Sequence, residues 1–202
     1  HIYVYLTFPN KIYHEESIIC FGRPHFNRDI EVLNNTYPDI NFINVLESEL
    51  GRFQTCIVPK KYRGQTKCSE ARKLGANDPY EKAQLFSEYI LDILKKRYSL
   101  KAVMSANFDY WQTEGMRRAC KKQKIPFVVL CREAQTIPST YQRTLDHYAQ
   151  YDFKYDGDLI LVFNERTAGL FKKLNICDAE KIIVTGPPRL DVWLPELGKE
   201  KS

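Results

Sequence analysis

The sequence predicts an α/β fold, a doubly wound and mostly parallel sheet with helices on both faces. Two observations carry that expectation. Three short apolar runs, at residues 126–131, 158–163 and 181–185, have the composition of strands covered on both sides. Helical stretches separate them, and strand–helix repetition with short links is the pattern of parallel βαβ units. Such a sheet is Rossmann-like. A chain of 202 residues, 44% hydrophobic and 13% aromatic, buries a core of that size.

The elements follow in order. Residues 2–8 read as the opening strand, 27–36 as a helix and 40–45 as a second strand. Residues 60–77 are polar, basic and rich in turn formers, and read as a long mobile loop. Asp78-Pro79-Tyr80-Glu81 combines an N-cap, a first-position proline and an acid three residues on, which opens a helix ending near Arg97. In it Leu85, Phe86, Tyr89, Ile90, Ile93 and Leu94 form one broad apolar stripe. A strand at 102–105, a helix over 111–123 with a basic end, and the strand at 126–131 come next. A helix over 139–151 leads to the strand at 158–163. Asn164 caps another helix, and the last strand stops at Gly186-Pro187-Pro188, a rigid turn. Residues 1–193 make one domain, and 194–202 begin a linker or tail.

Composition narrows the function. Thirty basic residues against twenty-five acidic give +5, spread along the chain, so the surface is mildly basic. That suits a peripheral contact with an anionic membrane face. Six cysteines show no C-x-x-C pair, and neither they nor the four histidines have zinc-ligand spacing. A cytoplasmic protein with reduced thiols and no metal is expected, and no apolar run approaches the roughly 20 residues that span a bilayer. Glycine-rich phosphate loops, a nucleophile elbow and basic-aromatic motifs are absent, which argues against classical dinucleotide sites, Walker-type ATPases, serine hydrolases and nucleic-acid binding.

Open parallel sheets bind ligands beyond the carboxyl ends of their strands. That rule selects residues 106–110, 132–140, 164–167 and 186–191. Glu133, beside Arg132 directly after a strand, is placed to be a general base for a sugar hydroxyl, or is a salt-bridged or capping acid. Asp109 is the rival base, unless it simply caps the next helix together with Gln112. Asn107 can bond a ligand hydroxyl or close an Asx turn. Asn164 and Glu165 open a helix and read first as capping groups. Arg189 and Asp191 pair with each other or hold the turn against a neighbouring segment.

The stretches Phe127-Val128-Val129-Leu130-Cys131-Arg132-Glu133, Ile160-Leu161-Val162-Phe163-Asn164-Glu165 and Val184-Thr185-Gly186-Pro187-Pro188-Arg189-Leu190-Asp191 carry a resemblance. From about residue 100 to 193 the chain looks like the N-terminal domain of bacterial surface-carbohydrate glycosyltransferases of the GT-B fold. These include capsule and lipopolysaccharide sugar transferases, Kdo transferases and CDP-glycerol glycerophosphotransferases. The resemblance implies the acceptor-binding half of an inverting transferase, with Glu133 or Asp109 as base and Arg132 and Arg189 orienting acidic groups. It implies a glycan or glycolipid acceptor and a nucleotide-sugar donor held by a second domain, with no metal or other cofactor. The last stretch is similar to non-hydrolysing sugar-nucleotide epimerases too, so an epimerase-type domain is an alternative, as is a non-catalytic carbohydrate-binding module.

Overall fold

The computed structural model describes residues 16–64, 67–131, 138–150 and 153–191. Six parallel strands form one sheet: β1 (Glu16–Gly22), β2 (Ile40–Leu46), β3 (Ser99–Ser105), β4 (Phe127–Leu130), β5 (Leu159–Val162) and β6 (Ile182–Val184). Their order is β2-β1-β3-β4-β5-β6. The chain moves outward from β1 to β2 and then crosses back to β3, so the sheet reverses its winding between β1 and β3. In open parallel sheets such a switch point is where ligands bind, beyond the carboxyl ends of the strands.

Alternating side chains divide the core. Ile19, Ile43, Val103, Val129 and Ile160 face Leu50 of α2 (Glu47–Ile57), Leu91 and Leu94 of α4 (Glu81–Arg97), Met116 of α5 (Trp111–Gln123) and Leu170 and Phe171 of α7 (Glu165–Lys173). Cys20, Phe42, Met104 and Leu130 point the other way, toward Ile30 of α1 (Asn27–Thr36) and Phe26. Helices therefore cover both faces, and the architecture is the doubly wound, Rossmann-like α/β fold that the apolar runs predict. A period of two in each strand and apolar stripes on the helices are sufficient to cause it.

The structure differs from the sequence reading in four places. The first described strand is β1, a run of Ile18, Ile19, Cys20 and Phe21; the strand expected at 2–8 lies outside the described residues. Residues 60–77 hold two short 3-10 turns and the helix α3 (Lys67–Arg72) rather than a featureless loop. Cys68 and Ala71, three apart, are buried with Val58, Tyr80 and Ala83, and the Tyr80 hydroxyl donates to the Tyr62 carbonyl at 2.6 Å. A few well-placed apolar groups outweigh a polar average.

α4 starts at Glu81, three residues after the expected cap. Asp78 Oδ1 accepts from the Tyr80 amide at 2.8 Å, forming a turn, and its other oxygen pairs with Arg118. The buried ridge of α4 is Ala83, Ser87, Leu91 and Leu94, whereas Leu85 and Tyr89 are 61% and 66% exposed. Small residues win the inner face because α5 approaches closely: a Cβ on Gly115 would stand 2.6 Å from the Ala83 backbone. Finally, Gly186 takes the left-handed turn at φ 74, and Pro188 opens a single helical turn, α8 (Pro188–Asp191), where a first-turn proline is tolerated.

Candidate functional site

The switch point is built from β1 and β3. β3 ends at Ser105, and the chain passes through Ala106-Asn107-Phe108-Asp109 into α5. This loop is interior: Asn107 is 3% and Asp109 1% exposed. The Ser105 hydroxyl donates to the Asn107 carbonyl at 2.8 Å, and Asn107 Oδ1 accepts from the Phe108 amide at 2.7 Å. The Asn107 side chain thus folds onto its own backbone and fixes the path of the loop.

Asp109 does not cap α5, whose N-cap is Tyr110 with no side-chain bond. Its Oδ2 instead accepts from the Tyr148 hydroxyl at 3.0 Å. Tyr148 belongs to α6 (Tyr141–Ala149) and is held by a cage of rings, with Phe108 5.4 Å and Phe171 6.5 Å away between centroids. The ring cage thus holds the phenol hydroxyl on the buried carboxylate.

The β1 end adds charge. Arg23 follows β1, lies over the Tyr110 ring at 5.0 Å, and pairs with Glu47 at 3.7 Å, the first residue of α2. Glu47 is 4% exposed and Arg23 about half. At the β6 end, Arg189 pairs with Asp29 of α1 rather than with Asp191. Its guanidinium and backbone amide each reach one Asp29 oxygen at 3.2 Å, and the guanidinium lies 5.0 Å above Phe163. Burial pushes the Asp29 carboxyl above the usual carboxylate range, and Arg189 opposes that shift. Asp191 is exposed.

Asn164 is the N-cap of α7, its Oδ1 accepting from the Thr167 amide at 2.8 Å, and Glu165 is an exposed first-turn acid. Both fit the capping expectation. Arg132 and Glu133 lie outside the described residues. Among the sequence candidates, then, Asn107 and Asp109 sit together at the switch point, and Arg189 serves the last turn. Arg23, Asp29, Glu47 and Tyr148 have no motif of their own; their partners lie 160 residues away for Asp29 and 39 for Tyr148, which local spacing cannot reveal.

A cleft of about 690 Å³ lies at the opposite, amino end of β4 and β5, lined by Lys121, Lys124, Lys154 and Lys181. Lys121 pairs with Asp156, Lys181 with Asp178, and Lys154 with the Asn175 carbonyl. Three of these lysines are thus engaged by neighbouring carboxylates or a backbone carbonyl, so the cleft reads as a partly paired basic seam. Among the described residues, no group of three or more His, Cys, Asp or Glu could hold a metal ion, and no helix is long and apolar enough to cross a membrane. None of the six cysteines forms a disulfide.

No family model and no curated protein matches the sequence. Among solved structures the chain is similar to a UDP-N-acetylglucosamine 2-epimerase from Rickettsia bellii, with a TM-score of 0.47 and 11% identity, over 93% of this chain. The chain spans about half of that protein, 49% of its length.

Proposed function

We propose that this chain is the acceptor-side half of an inverting glycosyltransferase that acts from a nucleotide-activated sugar onto a bacterial surface glycan or glycolipid. The observation that carries the proposal is the topological switch point between β1 and β3, where a buried, hydroxyl-bonded carboxylate, Asp109, stands just after the end of a parallel strand. The sequence resemblance over residues 184–191 supports the same reading.

In the reaction, a carboxylate takes the proton of the acceptor hydroxyl. The acceptor oxygen bonds to the anomeric carbon as the bond from that carbon to the nucleotide phosphate breaks, and the nucleotide leaves with the electron pair. Glu133 is the first candidate for the base and Asp109 its rival. Arg132 orients an acidic group of acceptor or donor. A second domain holds the nucleotide.

The test is turnover of the full-length parent with CMP-Kdo, UDP-sugars and CDP-glycerol, comparing wild type with Glu133→Gln and Asp109→Asn. Product that depends on donor and falls about a hundredfold or more in one variant identifies the transferase and its base. Inversion of a UDP-sugar at C2 without acceptor establishes the epimerase alternative. A folded protein that turns over no donor but binds an acceptor oligosaccharide is a binding module.

A further inference from the structure

The apolar stripe of α4 is wider than the fold uses. Its inner ridge, Ala83, Ser87, Leu91 and Leu94, packs on α5 and the sheet. A second ridge points outward: Lys82, Leu85, Tyr89, Asp92 and Lys96, spaced three and four apart, are all exposed. At its centre Leu85 and Tyr89 are 61% and 66% exposed, one turn apart. Beside them Phe86 stacks on Phe53 of α2 at 5.5 Å between ring centroids, and Ile93 is half-buried. Leu85, Phe86, Tyr89, Ile93 and Phe53 thus make one apolar strip along the α2–α4 surface, a composition suited to an interface centre.

We infer that this strip pairs with the same strip of a second copy of the chain, the two α4 helices antiparallel about a two-fold axis. The charge pattern selects that occupant, because the ridge is complementary to itself when reversed. Setting Leu85 against Tyr89 of the other copy brings Lys82 against its Asp92, and each contact occurs twice. Antiparallel helices oppose their macrodipoles favourably as well. Asp92 already meets Lys95 of its own helix at 3.2 Å, but both are about half exposed, and such a pair leaves the carboxylate open to a second cation. The helix has 17 residues and is about 25 Å long, and Phe53 and Phe86 broaden the contact toward the roughly 800 Å² per partner of a specific dimer.

Sedimentation velocity of the 202-residue chain over a range of concentrations tests this. The wild type populates a dimer, and Tyr89→Glu or Leu85→Glu weakens it about tenfold or more. Lys82→Glu and Asp92→Lys each weaken it, and the double variant is tighter than either single, which only self-pairing produces. The paired substitutions Leu85→Gln and Tyr89→Gln repeat the test if a glutamate disturbs the helix, as circular dichroism shows. A chain that stays monomeric throughout, or a dimer indifferent to all these changes, overturns the inference.

Discussion

Asp109 and Glu114 are two buried carboxylates five residues apart, 1% and 3% exposed, and the chain treats them in opposite ways. Glu114, buried on α5, is surrounded by guanidinium groups. Arg118 reaches it at 2.7 Å and Arg72 at 3.1 Å, Arg117 also bonds it, and Asp78 and Asp156 balance the surplus positive charge. Although burial opposes ionisation, Arg117, Arg72 and Arg118 together hold its carboxyl down to about 2. Asp109, at the crest of β3, instead meets the neutral Tyr148 hydroxyl. A carboxylate locked by three cations is held ionised near neutrality. Its ring of guanidinium groups marks Glu114 as a structural acid, which burial alone does not reveal.

The largest effect that sharpens this contrast is Glu114→Ala. It leaves three arginines facing one another in the interior and costs roughly 3–5 kcal/mol in urea unfolding. A loss below about 1 kcal/mol would place the cluster among solvated surface pairs and break the comparison. The same residue sets an acid limit. Its folded pKa is depressed from 4.5 to about 2, so its stabilisation of about 3 kcal/mol is complete above pH 4.5 and lost as pH falls toward 2. Urea midpoints across that window fall steeply in the wild type and more gently in Glu114→Gln.

The Asp29–Arg189 pair gives a smaller and asymmetric effect. Arg189→Gln removes the cation paired with a fully buried carboxylate and costs roughly 2–3 kcal/mol at neutral pH; Asp29→Asn costs less, since Arg189 retains some solvent. Without Arg189 the raised pKa of Asp29 rises further. A group raised in the folded state contributes most at low pH, so the deficit of Arg189→Gln shrinks as the medium is acidified. Equal losses for the two variants, independent of pH, refute the reading. The smallest effect is at the crest: Asp109→Asn still accepts from Tyr148 and costs under about 1.5 kcal/mol, so any large loss of turnover in that variant reports chemistry.

The comparison explains what the sequence could disclose. The βαβ repetition from β3 to β6 is legible because buried strands are continuous apolar runs, and β4 and β5 fall inside the runs at 126–131 and 158–163. β1 carries the same signal in Ile18-Ile19-Cys20-Phe21 and was open to the same argument. The stripe of α4 misleads because periodicity counts apolar residues without weighing how closely a neighbour approaches; Gly115 on α5 rewards Ala83 and Ser87 over Leu85 and Tyr89. At the site, Asn107 and Asp109 are found by position alone. Their setting depends on Tyr148, and that of Arg189 on Asp29, contacts made only when distant segments meet.

The bond between Asp29 and Arg189 joins the first described helix to the last across 160 residues, and so ties the sheet's completion to its beginning. A contact between residues so far apart in sequence is costly to close from the open chain, and far less so once the strands between are in place. During synthesis the amino-terminal part emerges with Asp29 destined for the interior but without its counter-ion. Until residue 189 leaves the ribosome the ion pair to α1 cannot form, so a nascent chain stopped short of β6 holds α1 by its apolar contacts without it. The last turn thus adds a late-arriving tie to the first described helix, independent of any chemistry it borders.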